Sequence, residues 1–383
     1  MDKRITLLIA ALFAAWVPAS AFGQEIKIGI IGMMTGPGAA WGVAGSEGAR
    51  FAIEDINATG GIDVNGTKRK VKLIVYDDQY KASEALSVYN RLVNEDGAKY
   101  LMTMSSASMM ALKNSVENDK VLVLTSSYTT KAIDKDTKNI IRLYSTPSDY
   151  IPGIVRWMKA HIGGDRVAIV SPNDETGWDL SNISNTAFEK EGFKVISREL
   201  YERSQKDFLP LLTRVVAAQP DIIELGPSSP ATAGLIVRQA RELGYTKTFS
   251  ALGGSGPREV VAVAGAKAAE GMVNMLYADP ANAAFQALAE RYRKTIGQMP
   301  NELIVPYYDA TRVLLRAIAI SGDPDDPAKV AKAFGKALPL KSLQGEELTF
   351  GGKERIGVDA QIMTPNYIGN IRNGDPVVVG VTK

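Results

Sequence analysis

The 383-residue chain has no cysteine and a single histidine. Without cysteine there can be no disulfide framework, no thiolate metal site, no thiol nucleophile and no acylated lipoprotein anchor. A chain this long needs no covalent staples, because it can bury an ample apolar core. The lone His161 stands in Trp157-Met158-Lys159-Ala160-His161-Ile162-Gly163-Gly164, which reads as a helix end, where histidine is commonly a surface residue. It lies away from both serine-rich turns of the chain, so a Ser-His-Asp triad has no convincing place. Phosphate-binding loops are missing too: Gly351-Gly352-Lys353 is followed by Glu354, and Gly36-Pro37-Gly38-Ala39-Ala40-Trp41 carries tryptophan where a dinucleotide fingerprint needs glycine.

Charge of either sign is not in excess. The formal net charge is +2, of which Asp2, Lys3 and Arg4 together supply +1, leaving +1 for the rest. A polyanion partner leaves a clustered basic footprint, and none is present, so no nucleic-acid partner is expected. Long apolar runs are confined to the start. Lys3 and Arg4 precede the apolar Ile5 to Val17, Pro18 breaks it, and Ala19-Ser20-Ala21 or Ala21-Phe22-Gly23 offers a cleavage site. Residues 1–23 therefore read as an export signal, with a mature start at Phe22 or Gln24 and a soluble, freely diffusing product in a Gram-negative periplasm. The run is too short for a membrane anchor of ~20 residues.

The body alternates short apolar strands with amphipathic helices. Ile26 to Gly32 reads as a strand ending in a Gly-rich turn, Ser46 to Asn57 as a helix, Val71 to Asp78 as a strand and Ser83 to Asn94 as a helix. Tyr100 to Thr103 and Val121 to Leu124 continue the series, and it restarts at Val167 to Ser171. This is the pattern of right-handed βαβ units on parallel sheets. The expected fold is α/β, with two doubly wound parallel-sheet lobes joined by crossing hinge strands. Lobe I takes 24–145 and 277–350; lobe II takes 146–276 and 351–383.

An ordered series of segments resembles the leucine/isoleucine/valine-type (branched-chain amino-acid-type) periplasmic solute-binding proteins of ABC transporters, within the type I periplasmic binding proteins. The clearest stretch runs from Ile28 to Gly42, then Gly48-Ala49-Arg50 and Ile53 to Ile62. Asp77-Asp78, Tyr144 to Asp149, Val237 to Arg241, Ala269-Glu270-Gly271 and Tyr307-Tyr308-Asp309-Ala310 follow in order. The resemblance implies a ligand held between two lobes, hinge closure upon binding, and a partner in the permease subunits of an inner-membrane importer. It implies a binder and not an enzyme, with no cofactor and no metal, acting as a monomer.

Two turns follow strand carboxyl ends, where open α/β sheets place ligands: Met104 to Ser108, containing Ser105 and Ser106, and Thr125 to Thr130, containing Ser127, Tyr128 and Thr129. Hydroxyls at a helix N-terminus make an anion site, yet serine and threonine are also ordinary N-caps. By family correspondence Ser106, Ser127 and Thr129 would hold the ligand's carboxylate, and Trp41, in the first Gly-rich turn, would cover the ligand. In the second lobe the resemblance implies contacts at Thr176, Ser229 and Gly253. The family's two ammonium-binding acids correspond to Pro147 and Gly253, so that end of an amino acid has no counter-charge here unless Asp149, Asp174 or Glu175 supplies one. A small carboxylate-bearing solute, an organic or aromatic acid, is the favoured ligand. A branched-chain amino-acid carrier and a ligand-sensing receptor of the same fold are the alternatives; an exported hydrolase is a third class.

Overall fold

The computed structural model describes residues 24–254 and 256–382; the export signal expected at 1–23 lies outside them. Two sheets organise these residues. The first has eight strands, in the order Leu340–Lys341, Glu347–Gly351, Gln361–Met363, Ile140–Arg142, Leu122–Thr125, Tyr100–Thr103, Ile26–Gly32 and Val71–Asp77. From Gln361–Met363 to Val71–Asp77 the pairing is parallel. The second has seven strands, in the order Asp375–Val381, Tyr367–Arg372, Val273–Leu276, Thr248–Ala251, Ile222–Glu224, Arg166–Pro172 and Lys194–Tyr201. It is parallel apart from the first two, which add antiparallel to Val273–Leu276. The central strands are buried on both faces, as strands covered by helices must be, which is why Tyr100–Thr103 and Leu122–Thr125 read as unbroken apolar or hydroxyl runs.

The chain passes between the lobes three times, after Arg142, after Leu276 and after Met363. The last crossing falls later than the expected boundary at 351. Strand Gln361–Met363 still pairs with Arg142, and Ala360, Ile356 and Val358 pack into the first lobe's core. Two crossings are tied directly: the Ser145 backbone N–H donates to Thr364 Oγ1 at 3.1 Å, and the Thr364 N–H returns to Ser145 Oγ at 2.9 Å.

Helix Ala39–Ala58 begins earlier than its apolar periodicity suggests, because Gly36–Gly38 forms a 3-10 turn leading straight into it. Its glycines are demanded by a neighbour. A Cβ on Gly48 would lie 2.2 Å from the Ile304 carbonyl, and one on Gly45 would lie 3.1 Å from the Tyr307 ring. Helix Ile304–Ser321 therefore approaches closely, and helix Ala283–Ile296 adds Phe285 and Leu288 against Phe51.

Candidate ligand cleft

The strand ends and loops facing the gap between the lobes enclose about 450 Å³, partly open to solvent. The first lobe supplies most of the side chains. Trp41, in the first turn of helix Ala39–Ala58, Met33, Met104, Leu303 and Tyr307 form an apolar and aromatic wall. Ser105, Ser106, Ser126, Tyr128 and Tyr144 form a hydroxyl-rich wall, and Tyr80 stands at the rim. The second lobe supplies Thr176, Pro227, Gly253 and Gly254, of which only Thr176 carries a polar side chain.

Ser105 is the N-cap of helix Ser106–Asp119, accepting from Ser108 N–H at 3.0 Å. Ser108 Oγ, within 2.7 Å of Ser105 Oγ, donates to Asp78 Oδ2 at 2.6 Å. The capping and the cleft-facing readings of Ser105 therefore hold together. Ser106 Oγ accepts the backbone N–H of Tyr128 at 3.0 Å and of Thr129 at 3.4 Å, welding the two turns and leaving its own proton to donate. The helix N-terminus at this corner favours negative charge. Burial pushes the Tyr128 and Tyr144 phenols up, so both stay protonated donors. Tyr128 Oη is 2.6 Å from Tyr277 Oη, and the Tyr144 and Tyr277 rings stand 4.9 Å apart.

Three expected residues lie off the lining. Residues 126–129 run extended, so Ser126 and Tyr128 face the cleft while Ser127 and Thr129 point into the lobe and are fully buried. Thr129 Oγ1 accepts from Lys131 N–H at 3.3 Å, and Ser127 Oγ has no partner among the described residues. Ser229 precedes helix Pro230–Glu242 and pairs with Thr232 Oγ1 at 3.0 Å, away from the lining. Trp41 lies in a helix rather than a Gly-rich turn, with its ring facing Gly254 of the other lobe. A Cβ on Gly254 would come within 3.1 Å of Trp41, and its φ of +108° also requires glycine.

No acidic or basic side chain lines the cleft among the described residues. Asp149 closes a capping box and pairs with Arg355 at 2.9 Å. Asp174 caps helix Glu175–Lys190 and pairs with Arg203, and Glu175 pairs with Lys131 across the lobes at 2.8 Å. Pro147 opens helix Pro147–His161 and does not reach the lining. Gly253 does, but a Cβ there would be 2.3 Å from Leu180, so a side chain would require Leu180 to move. Behind this wall the buried Glu224 accepts from Ser250 Oγ, from Gly226 N–H at 3.0 Å and from Leu252 N–H at 3.0 Å. It thereby fixes the two second-lobe loops against each other.

The lobes are clasped at the rim. Arg203 lies 3.9 Å over the Tyr80 ring and donates to Tyr80 Oη at 3.0 Å, while Tyr80 Oη is 3.4 Å from Thr176 Oγ1. Burial drives the Tyr80 phenol up to about 12, so it remains neutral. Tyr80, Ser126, Tyr144, Leu303 and Tyr307 were not singled out in the sequence as ligand-facing. Asp77-Asp78 ends a parallel strand, and a strand's carboxyl end is the signal that could have found the Tyr80 loop. His161 is exposed and bonds the Trp157 carbonyl at 2.8 Å, outside the cleft.

A family model described as periplasmic binding protein matches residues 25–375. The chain belongs to that family. Among this family's curated members it is 30% identical over 339 residues to the leucine-, isoleucine-, valine-, threonine-, and alanine-binding protein of Pseudomonas aeruginosa, covering 87% of this chain and 88% of the relative. A crystal structure of a leucine-binding protein from Thermotoga maritima superposes with a TM-score of 0.80 at 24% identity, covering 94% of this chain and 99% of the other. An ABC transporter solute-binding protein from R. palustris in complex with benzoate gives a TM-score of 0.79 at 17% identity, covering 93% of this chain and 96% of the other. Both likenesses concern the type I fold: two mostly parallel sheets with a cleft between them.

Proposed function

We propose that this periplasmic binding protein is the soluble solute-binding component of an ABC-type importer, acting in the periplasm as a monomer, and that its ligand is a small carboxylate without an α-ammonium group. The observation that carries the ligand class is the lining: hydroxyls and a helix N-terminus at one corner, an aromatic and apolar wall beside it, and no acid among the described residues. A buried ammonium without an anion costs several kcal/mol, on the order of a thousandfold in affinity. An organic or aromatic acid avoids that cost. Ser105, Ser106, Ser126, Tyr128 and Tyr144 would receive its carboxylate, and Trp41, Met33 and Leu303 its body. The closed cleft would then be read by the permease subunits.

A branched-chain amino acid is the second reading, favoured by the name of the 30%-identical relative. A thermal-shift screen of benzoate, hydroxybenzoates, keto acids, short dicarboxylates, leucine, isoleucine and valine separates the two. At least one acid lacking the amine should raise the melting temperature, and the branched-chain amino acids should not. Tight binding of leucine or valine would leave the transport reading standing and remove the ligand class. A sensing role in place of import would show as a normal ligand response in a strain whose uptake does not depend on the protein.

A further inference from the structure

Two glutamates meet where the lobes close beside the cleft. Glu259 belongs to the second lobe, in helix Pro257–Ala264; Glu302 belongs to the first, immediately before the cleft-lining Leu303. Asn301 Nδ2 donates to Glu259 Oε1 at 3.2 Å, so the two segments are in direct contact. Glu302 is only 1% exposed. Glu259 Oε2 and Glu302 Oε2 are both enclosed and have no hydrogen-bond partner among the described residues. Arg258, whose charge acts on both carboxyls, is committed to Asp375 at 2.8 Å. The other charged or titratable groups facing this corner are Glu47, paired with Arg50 at 2.9 Å, and the Tyr292 hydroxyl, and none of them neutralises the pair. No three His, Cys, Asp or Glu side chains among the described residues converge to hold a metal ion.

Two carboxylates brought close by the Asn301–Glu259 contact in a water-poor interface resist ionising together. We propose that the closed protein binds one proton between Glu259 and Glu302, so that a proton is taken up as a second ligand whenever the lobes close. Each carboxylate regains water when the lobes part, because each rides on a different lobe. In the closed form, burial and the neighbouring Glu259 charge push the Glu302 carboxyl from 4.5 up to about 8. The raised value belongs to the closed state. Its favourable effect on closure is therefore complete below the open-state value and is lost as the pH rises through the closed-state one. The other buried acids, Asp78, Glu224 and Asp309, have all their bonding partners within one lobe, so closure leaves their surroundings unchanged.

The inference rests on hinge closure and is indifferent to the ligand class. Calorimetry with benzoate and with leucine as probes, in buffers of different ionisation enthalpy, counts protons with whichever probe binds. Close to one proton should be taken up per ligand at pH 6.5, and affinity should fall by up to about tenfold per pH unit between pH 5.5 and 7.5. Glu302→Gln should remove most of the uptake and flatten the pH dependence, and Glu259→Gln, which leaves Glu302 buried, should reduce both, with affinity at pH 8 at or above that of the unsubstituted protein. A ligand-free arm uses single-molecule energy transfer between dyes on Lys138→Cys and Lys190→Cys, unique thiols in a cysteine-free chain. The closed population should shrink from pH 5.5 to 8.5 and stop responding in Glu302→Gln. No proton uptake with a bound probe, an unchanged slope in both Gln variants, or a ligand-free distribution that ignores pH would each overturn the proposal.

Discussion

The two walls of the cleft are built from different materials. The first lobe presents Trp41, Tyr80, Ser105, Ser106, Tyr128 and Tyr144, side chains able to recognise a ligand. Among the described residues the second presents mainly backbone and ring, Pro227, Gly253 and Gly254, with Thr176 as its one polar side chain. The difference follows from packing. Leu180 fills the space behind Gly253, the Trp41 ring fills the space before Gly254, and Glu224 locks the two loops from within. A ligand is thus recognised on one lobe and covered by the other. A lid of backbone selects by shape and by excluding water, and only a ligand favouring the closed form can populate it.

If the second lobe is a lid, its fastening should control release more than selectivity. Arg203→Ala removes the cation over Tyr80 and the bond to its hydroxyl. Together these should cost about 2 kcal/mol of closure, or roughly thirtyfold in affinity, appearing mostly as faster dissociation. The ligand-free protein should also melt lower, because Asp174 loses its partner within the same lobe. Stopped-flow dissociation and a melting curve check both. A changed order of preference among ligands, with dissociation unaltered, would make the second lobe a recognition surface after all.

On the recognising side, Ser106→Ala should cost about 1–2 kcal/mol in affinity, because it takes a hydroxyl from the cleft and orphans the N–H groups of Tyr128 and Thr129. The same orphaned donors are present without ligand, so the melting temperature should fall as well. Ser127→Ala makes the contrast. Its hydroxyl is buried and without a partner among the described residues, so affinity should change little. Titration calorimetry of the pair checks whether one residue's difference in register along an extended segment separates contact from core.

That register was the part of the site hardest to read. The alternation of strands and helices was legible because parallel strands buried on both faces stand out as apolar runs, and both serine-rich turns do lie at strand carboxyl ends. A turn's position does not say which of its residues face out, and in an extended segment a slip of one exchanges the faces. The two turns therefore offer Ser106 and Tyr128 alongside Ser127 and Thr129 without distinguishing them, and nothing in the sequence sets Ser126 apart. Trp41 was assigned to a turn for a different reason. Gly42, Gly45 and Gly48 weaken the helical pattern in isolation, and only tertiary contacts explain them: the Met33 backbone lies against Gly42, and helix Ile304–Ser321 against Gly45 and Gly48. The sequence shows that Pro147 and Gly253 carry no charge, but what Asp149, Asp174 and Glu175 bind depends on chain pieces far apart in sequence.

The smallest effect is expected where the clasp is wettest. Lys131 and Glu175 join the lobes at 2.8 Å, but the lysine side chain is 64% exposed. Water screens such a pair and holding two long side chains in one geometry offsets part of the attraction. The neighbouring carboxylate raises the Lys131 pKa, so the charge is intact throughout the neutral range and pH is no way to switch it off. Salt is. Lys131→Ala should change affinity by no more than a few-fold near 0.15 M ionic strength, where the screening length is about 8 Å, and the difference should vanish near 1 M. The loss in Arg203→Ala should survive that salt, because its guanidinium is packed on Tyr80 and largely out of water. Measuring both variants at both ionic strengths therefore tests whether burial, rather than the count of ion pairs, holds the lid. Equal losses with equal salt sensitivity would mean that the two lobes are held by surface charge alone, and the clasp at Tyr80 would lose its special standing.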